Sequence, residues 1–162
     1  MSTFTTQHRY KQELKAVMAL YYDGEKTKEK LTALGARNVR LTREELGSNK
    51  LTREIEREVP ANPPKVIQKF INPWNLVKQT ERWTHDKNEY KCAIEVKIKG
   101  VPVSIDTLLR FKEDGNGCRS EVETEVKCKL PLIGKVLEDF VAQDAKRYIA
   151  DEHEFIKSAL TK

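Results

Sequence analysis

The sequence predicts an α+β domain in which a curved, seven-stranded antiparallel sheet lies against one long C-terminal helix, with two short helices after the first strand. Three observations predict it. Residues 37–129 alternate apolar and polar side chains in runs broken by turn sequences, the period of strands. Residues 131–160 repeat apolar side chains every three and four positions, the period of a helix with one buried face. Before both, an alternating stretch gives way to helical spacing that stops at Gly35.

The first strand spans residues 3–10, with Phe4, Thr6, His8 and Tyr10 on one face. Leu14, Val17, Met18, Tyr21 and Tyr22 then fall at helical spacing, and a second short helix over 25–34 ends at Gly35, a residue suited to a C-cap. Six strands follow. Residues 37–46 and 50–59 are joined by GSN, 76–84 and 89–99 by HDKN, and a turn through Gly100 and Pro102 leads to 104–111 and 118–129, joined by EDGNG. The DG and NG pairs are expected to supply the positive φ values that hairpins need. Such short links make the six strands an antiparallel meander. Tyr90, Cys92, Ile94, Val96 and Ile98 form an apolar face, and Cys118, Ser120, Val122, Thr124, Val126 and Cys128 form another. The partner for that side is the final helix, which Pro131 suits as a starting residue and whose stripe includes Ile133, Leu137, Phe140, Val141, Tyr148, Ile149, Glu152, Phe155 and Ile156.

Length and charge exclude several classes of function. At 162 residues the chain is expected to be a single domain, 1–162. No run approaches the roughly 18 apolar residues of a membrane span, and MSTFTTQHRYKQ lacks the apolar stretch of a signal peptide, so a cytoplasmic protein without stable membrane insertion is expected. A net charge of +5 comes from 30 basic residues interleaved with 25 acidic ones. That mixture argues against a phosphate-binding face, and no nucleic-acid partner is expected. Cys92, Cys118 and Cys128 form no C-x-x-C pair and are odd in number, so free, mostly buried thiols are expected.

The order of elements over essentially the whole chain resembles the helix-grip fold of the START-like superfamily, which includes lipid-transfer domains, pollen allergens, polyketide cyclases and bacterial proteins of unknown function. REVPANPPKVIQKFINPWNLVKQTERW and PLIGKVLEDFV look more narrowly like an uncharacterised bacterial family within it. The resemblance implies a cavity between helix and sheet, often used for an apolar ligand. It carries over no catalytic residues.

Both tryptophans sit in or beside the connector PANPPKVIQKFINPWN, whose Pro60, Pro63, Pro64 and Pro73 bar a continuous strand or long helix. One or two helical turns fit between them, with Val66, Ile67, Phe70, Ile71 and Trp74 on one face. In the resembling fold this segment covers one end of the cavity. Trp74 is then part of a lid and Trp83 a wall residue, or both simply plug the core.

Polar residues on inward faces leave a second pair of alternatives. Leu51, Ile55 and Val59 bring Arg53 and Arg57 inward, Val39 and Leu41 bring Arg43 and Glu45, and Trp83 brings Glu81 and Gln79. Unpaired buried charge is costly. Either these groups pair within a wet cavity, where Arg53 or Arg57 offers a fork to a carboxylate or phosphate, or that end of the sheet meets solvent. If the cavity that the resemblance implies is present, the residues expected to contact a ligand are Arg53, Arg57, Phe70, Trp74, Glu81, Trp83, Ile94, Val96, Ile105, Phe140 and Tyr148.

Catalytic motifs are scarce. There is no G-x-S-x-G, H-E-x-x-H or Gly-rich phosphate loop, and no cofactor is expected. DEHE at 151–154 reads as a solvated helix face rather than a metal cluster. His8 reads as a core histidine that could reach the cavity. The leading expectation is non-catalytic binding of a hydrophobic or amphipathic small molecule. Its alternatives are a cyclase- or hydrolase-like enzyme acting in the same cavity, and an interaction module with a filled core.

Overall fold

In the computed structural model, which describes residues Met1–Thr161, seven strands form one antiparallel sheet. They are β1 (Ser2–Tyr10), β2 (Arg37–Leu46), β3 (Lys50–Pro60), β4 (Trp74–His85), β5 (Glu89–Ile98), β6 (Val103–Asp114) and β7 (Gly117–Cys128), in the spatial order β1-β7-β6-β5-β4-β3-β2. Strands β2 to β7 are the expected meander. Strand β1 joins it at the far edge, pairing with β7 from Ser2↔Val126 to Tyr10↔Cys118.

The β6–β7 hairpin is tighter than its sequence suggests. Asp114 pairs with Gly117 across a two-residue turn, and of the turn residues only Gly115 takes a positive φ. Gly117 is needed for space instead: a Cβ there would collide with the Tyr10 carbonyl oxygen.

Helix α1 (Leu14–Tyr22) packs on α2 (Gly24–Ala33) and β6, and α2 packs on β2. Asp23 caps α2 by accepting from the Lys26 amide, and Gly35 closes it at φ 107° while the Ala36 amide bonds the Leu31 carbonyl, a Schellman arrangement. Helix α3 spans Gly134–Leu160. It does not start at Pro131, because Leu132 takes a left-handed φ of 62° that interrupts helical geometry. Among the described residues, no helix is long and apolar enough to cross a membrane.

Two packed clusters occupy opposite ends of the interior. One joins α1 to the sheet through Val17, Met18, Tyr21, Trp83 and Phe111. The other joins α3 to the β3–β4 connector through Ile67, Ile71, Val101, Leu137 and Val141. Helix α3 packs on β7, β1 and α1, so the inner faces of β3 to β5 lie beyond its direct cover. Space remains there.

The connector corrects one expectation. A single 3-10 turn, Lys65–Ile67, fits between its prolines. Ile67 and Ile71 are buried and Phe70 is half-buried, but Val66 and Trp74 are exposed. Trp74 already belongs to β4, paired with Pro60. Strand alternation turns Asn75 and Val77 inward and Trp74 outward, where the Arg37 guanidinium lies 3.8 Å above its ring.

Candidate ligand cavity

Between α2, α3 and the inner faces of β3 to β6 lies a cavity of about 260 Å³. Ile71, Val96, Ile98, Val101, Ile105 and Phe140 line it with apolar surface, while Lys30, Arg57, Gln79, Glu81, Tyr148 and Glu152 supply polar groups. The lining follows from strand parity. Val77, Gln79, Glu81 and Trp83 alternate along β4, and their cross-strand partners in β3 are Arg57, Ile55, Arg53 and Leu51.

Arg53 is 1% exposed and saturated. Its Nε donates to Glu44 Oε2 at 2.8 Å, Nη1 to the Tyr21 carbonyl at 2.9 Å and more distantly to Glu81 Oε1, and Nη2 to the Tyr22 carbonyl at 3.0 Å. Glu44 faces inward because β2 shifts register between Leu41 and Arg43, placing Glu44 opposite Arg53. The expected inward pair Arg43 and Glu45 is thereby turned out, where the two bond each other at 2.9 Å. One bulge reverses the parity of the strand beyond it.

Glu81 continues the network. Its Oε1 accepts from Trp83 Nε1 at 3.0 Å and its Oε2 from Gln79 Nε2 at 2.6 Å. Gln79 Oε1 accepts from Arg57 Nη1 at 2.9 Å. There the chain of partners ends. Arg57 is 7% exposed, has no carboxylate within ion-pairing distance among the described residues, and leaves its Nε without a partner. A second knot joins α2 to α3: Lys30 Nζ lies 3.1 Å from Glu152 Oε2, and Tyr21 OH donates to Glu152 Oε1 at 3.1 Å. Burial first, then Glu152, pushes the Tyr21 and Tyr148 phenols well above their ordinary range, so both stay protonated.

Of the eleven residues expected to contact ligand, Arg57, Glu81, Trp83, Ile94, Val96, Ile105, Phe140 and Tyr148 line the cavity. Arg53 lies behind the wall, bound to protein groups. Phe70 packs into the cluster under the connector. Trp74 stands on the outer face of the sheet and covers no part of the cavity, which corrects its reading as a lid. Trp83 is at once packed and lining: its ring meets Tyr21 and Phe111 while one edge borders the cavity. The sequence reading did not assign Lys30 to the site, although Thr27, Lys30 and Leu31 share the buried face of α2. A charged residue amid an apolar helical stripe, as at Glu152, was the available signal.

The histidines and cysteines stand outside the cavity lining. Burial raises the Cys92 thiol, and raises that of Cys118 to about 11. All three cysteines are free, Cys128 being only half-buried. His8 stacks on His153 with ring centroids 4.1 Å apart, joining β1 to α3 away from the cavity. No group of three His, Cys, Asp or Glu residues is placed to hold a metal ion among the described residues.

This architecture recurs in solved structures. A protein from Thermus thermophilus superposes with a TM-score of 0.67 at 12% identity, over 99% of this chain and 97% of that one. A STAR-related lipid transfer protein fragment from Xanthomonas axonopodis gives 0.61 at 11%, over 99% and 86%, and Ara h 8.0201 gives 0.58 at 14%, over 97% and 98%. At these identities the likeness establishes a START-like helix-grip fold. No curated protein matches the sequence. The model of one family does match, across residues 5–160, and the chain belongs to that family, described as Protein of unknown function (DUF2505).

Proposed function

We propose that the domain binds one single-chain amphipathic molecule with an anionic head, holding it in the cavity without transforming it. The observation that carries this reading is Arg57, a buried guanidinium on the cavity wall whose sole polar partner among the described residues is a neutral amide. A carboxylate there would gain charge-assisted hydrogen bonds and neutralise a desolvated cation. The apolar lining from Ile71 to Phe140 suits the tail. The likeness to a STAR-related lipid transfer protein lends support by analogy of fold.

Size narrows the ligand. A cavity near 260 Å³ lies just below the usual range for small-molecule sites. A site of that size suits one apolar tail rather than two acyl chains. An enzymatic role draws no comparable support, because Glu81 and Glu152 are already held by Trp83, Gln79, Lys30 and Tyr21.

The test is displacement of a polarity-sensitive fluorophore by straight-chain carboxylates of increasing length. One-to-one displacement that peaks at medium chain length is the expected result. If no chain length displaces the probe, the cavity is not a site for such molecules and the proposal falls.

A further inference from the structure

The end of the sheet nearest the apolar part of the cavity differs in charge from the other end. Strand register brings three links together there: Pro60 pairs with Trp74, Val77 with Ile98, and Val103 with Cys128. The β3–β4 connector, the β5–β6 turn and the β7–α3 link therefore form one tip, packed beneath on Ile67, Val101 and Leu137. Residues 60–75, 96–105 and 126–137 contain no Asp or Glu. The turns at the opposite end carry Asp86, Glu89, Glu113 and Asp114.

Lys65, Lys69, Lys99 and Lys129 at this tip are exposed and have no ion-pair partner among the described residues. The other lysines here are bound, Lys97 to Glu95, Lys127 to Glu125 and Lys135 to Asp139. Glu138, one residue past the last of these stretches, accepts from the Cys128 amide at 3.0 Å and pairs with the amino group of Met1 at 2.6 Å. Positive charge is thus left uncompensated on one surface. Within it stand two bare aliphatic side chains, Leu132 at 98% exposure and Val66 at 57%. Leu132 is held out by a left-handed backbone, which a branched side chain adopts at a cost.

We infer that this tip docks on an anionic membrane surface, with the four lysines against lipid headgroups and Leu132 and Val66 entering the interface. Lysines alone would equally suit a nucleic acid, but a phosphate backbone gives nothing to an exposed leucine. A bilayer rewards both. Pro60, Ala61, Ile71 and Val101, on the same connector and turn, also line the cavity, so the docking surface and the cavity share a wall. The inference rests on the surface alone and holds whatever the cavity carries.

Vesicle flotation tests it, with phosphatidylcholine alone and with an equal mixture of phosphatidylcholine and phosphatidylglycerol. The chain is expected to float with the mixture only, and less so as salt rises. Replacing Lys65 and Lys129 with Gln should weaken binding roughly fivefold for each lysine. Leu132→Ser should weaken it by roughly tenfold with the salt dependence retained. All three positions are exposed, so thermal unfolding should not move. Failure to bind the mixed vesicles, or binding indifferent to these substitutions, overturns the inference. Binding to duplex DNA through the same lysines, unaffected by Leu132→Ser and without vesicle binding, overturns it in favour of nucleic acid.

Discussion

Arg53 and Arg57 lie four residues apart on the same face of β3, both buried, and their surroundings could hardly differ more. Around Arg53 the chain has assembled two carboxylates and two backbone carbonyls, drawn from β2, β4 and the end of α1. Around Arg57 it has assembled one glutamine oxygen. A buried cation held by so many protein groups is structural, and removing it strands its partners. A buried cation left open toward a cavity is costly to the empty fold, a cost that the anionic head of the proposed ligand would offset. The strand pattern treats the two alike; the tertiary neighbours separate them.

Breaking the crowded side should have the largest effect. Arg53→Met leaves Glu81 and Glu44 without their shared partner, and a loss of about 3–5 kcal/mol is expected, a fall in Tm on the order of 10 °C. Arg57→Met should leave stability within about 1 kcal/mol of the parent or raise it. Chemical denaturation of the two variants checks both, and equal losses would erase the distinction.

A third polar group, the stacked pair His8 and His153, extends the comparison to a site where charge is kept out. Burial lowers both imidazoles, more than Glu152 and Glu154 raise His8 or Glu154 raises His153, and His8 and Lys157 lower His153 further. The Tyr10 ring meets His153 edge-on. Because the folded values lie below the ordinary 6.5, the unfolded chain takes up protons first as pH falls. The stability tied to the pair is therefore full above about pH 6.5 and is lost as pH drops through the folded values. His153→Gln should flatten the change in Tm over that window, and an unchanged slope would remove the pair from the account.

The smallest effect belongs to Arg37, whose guanidinium covers Trp74 on the outer face. Arg37→Ala should cost about 0.5–1 kcal/mol and make Trp74 more open to acrylamide. Ligand should not alter that quenching, since Trp74 lies outside the cavity.

The fates of Trp74 and Trp83 show how far the sequence could be read. Strands, hairpins and the α3 stripe were legible because their periods are local properties of the chain. The error at Trp74 arose from where the strand begins. Once β4 starts at Trp74, the two tryptophans are separated by an odd number of steps and must face opposite sides. The bulge in β2 was equally hidden, and with it the inward turn of Glu44, because no residue type marks that register shift. Sequence alternation placed Arg53 and Arg57 inside. It could not say which one was free, since the deciding groups come from β2 and from helix-end carbonyls.

The central claim, that Arg57 is the anion-binding group of the cavity, is tested most directly by calorimetric titration of decanoate and decanol into the parent chain and Arg57→Met. The account predicts that the parent prefers decanoate by about 1.5–3 kcal/mol and that Arg57→Met abolishes the preference while still binding decanol. A preference that survives in Arg57→Met, or none in the parent, would contradict it.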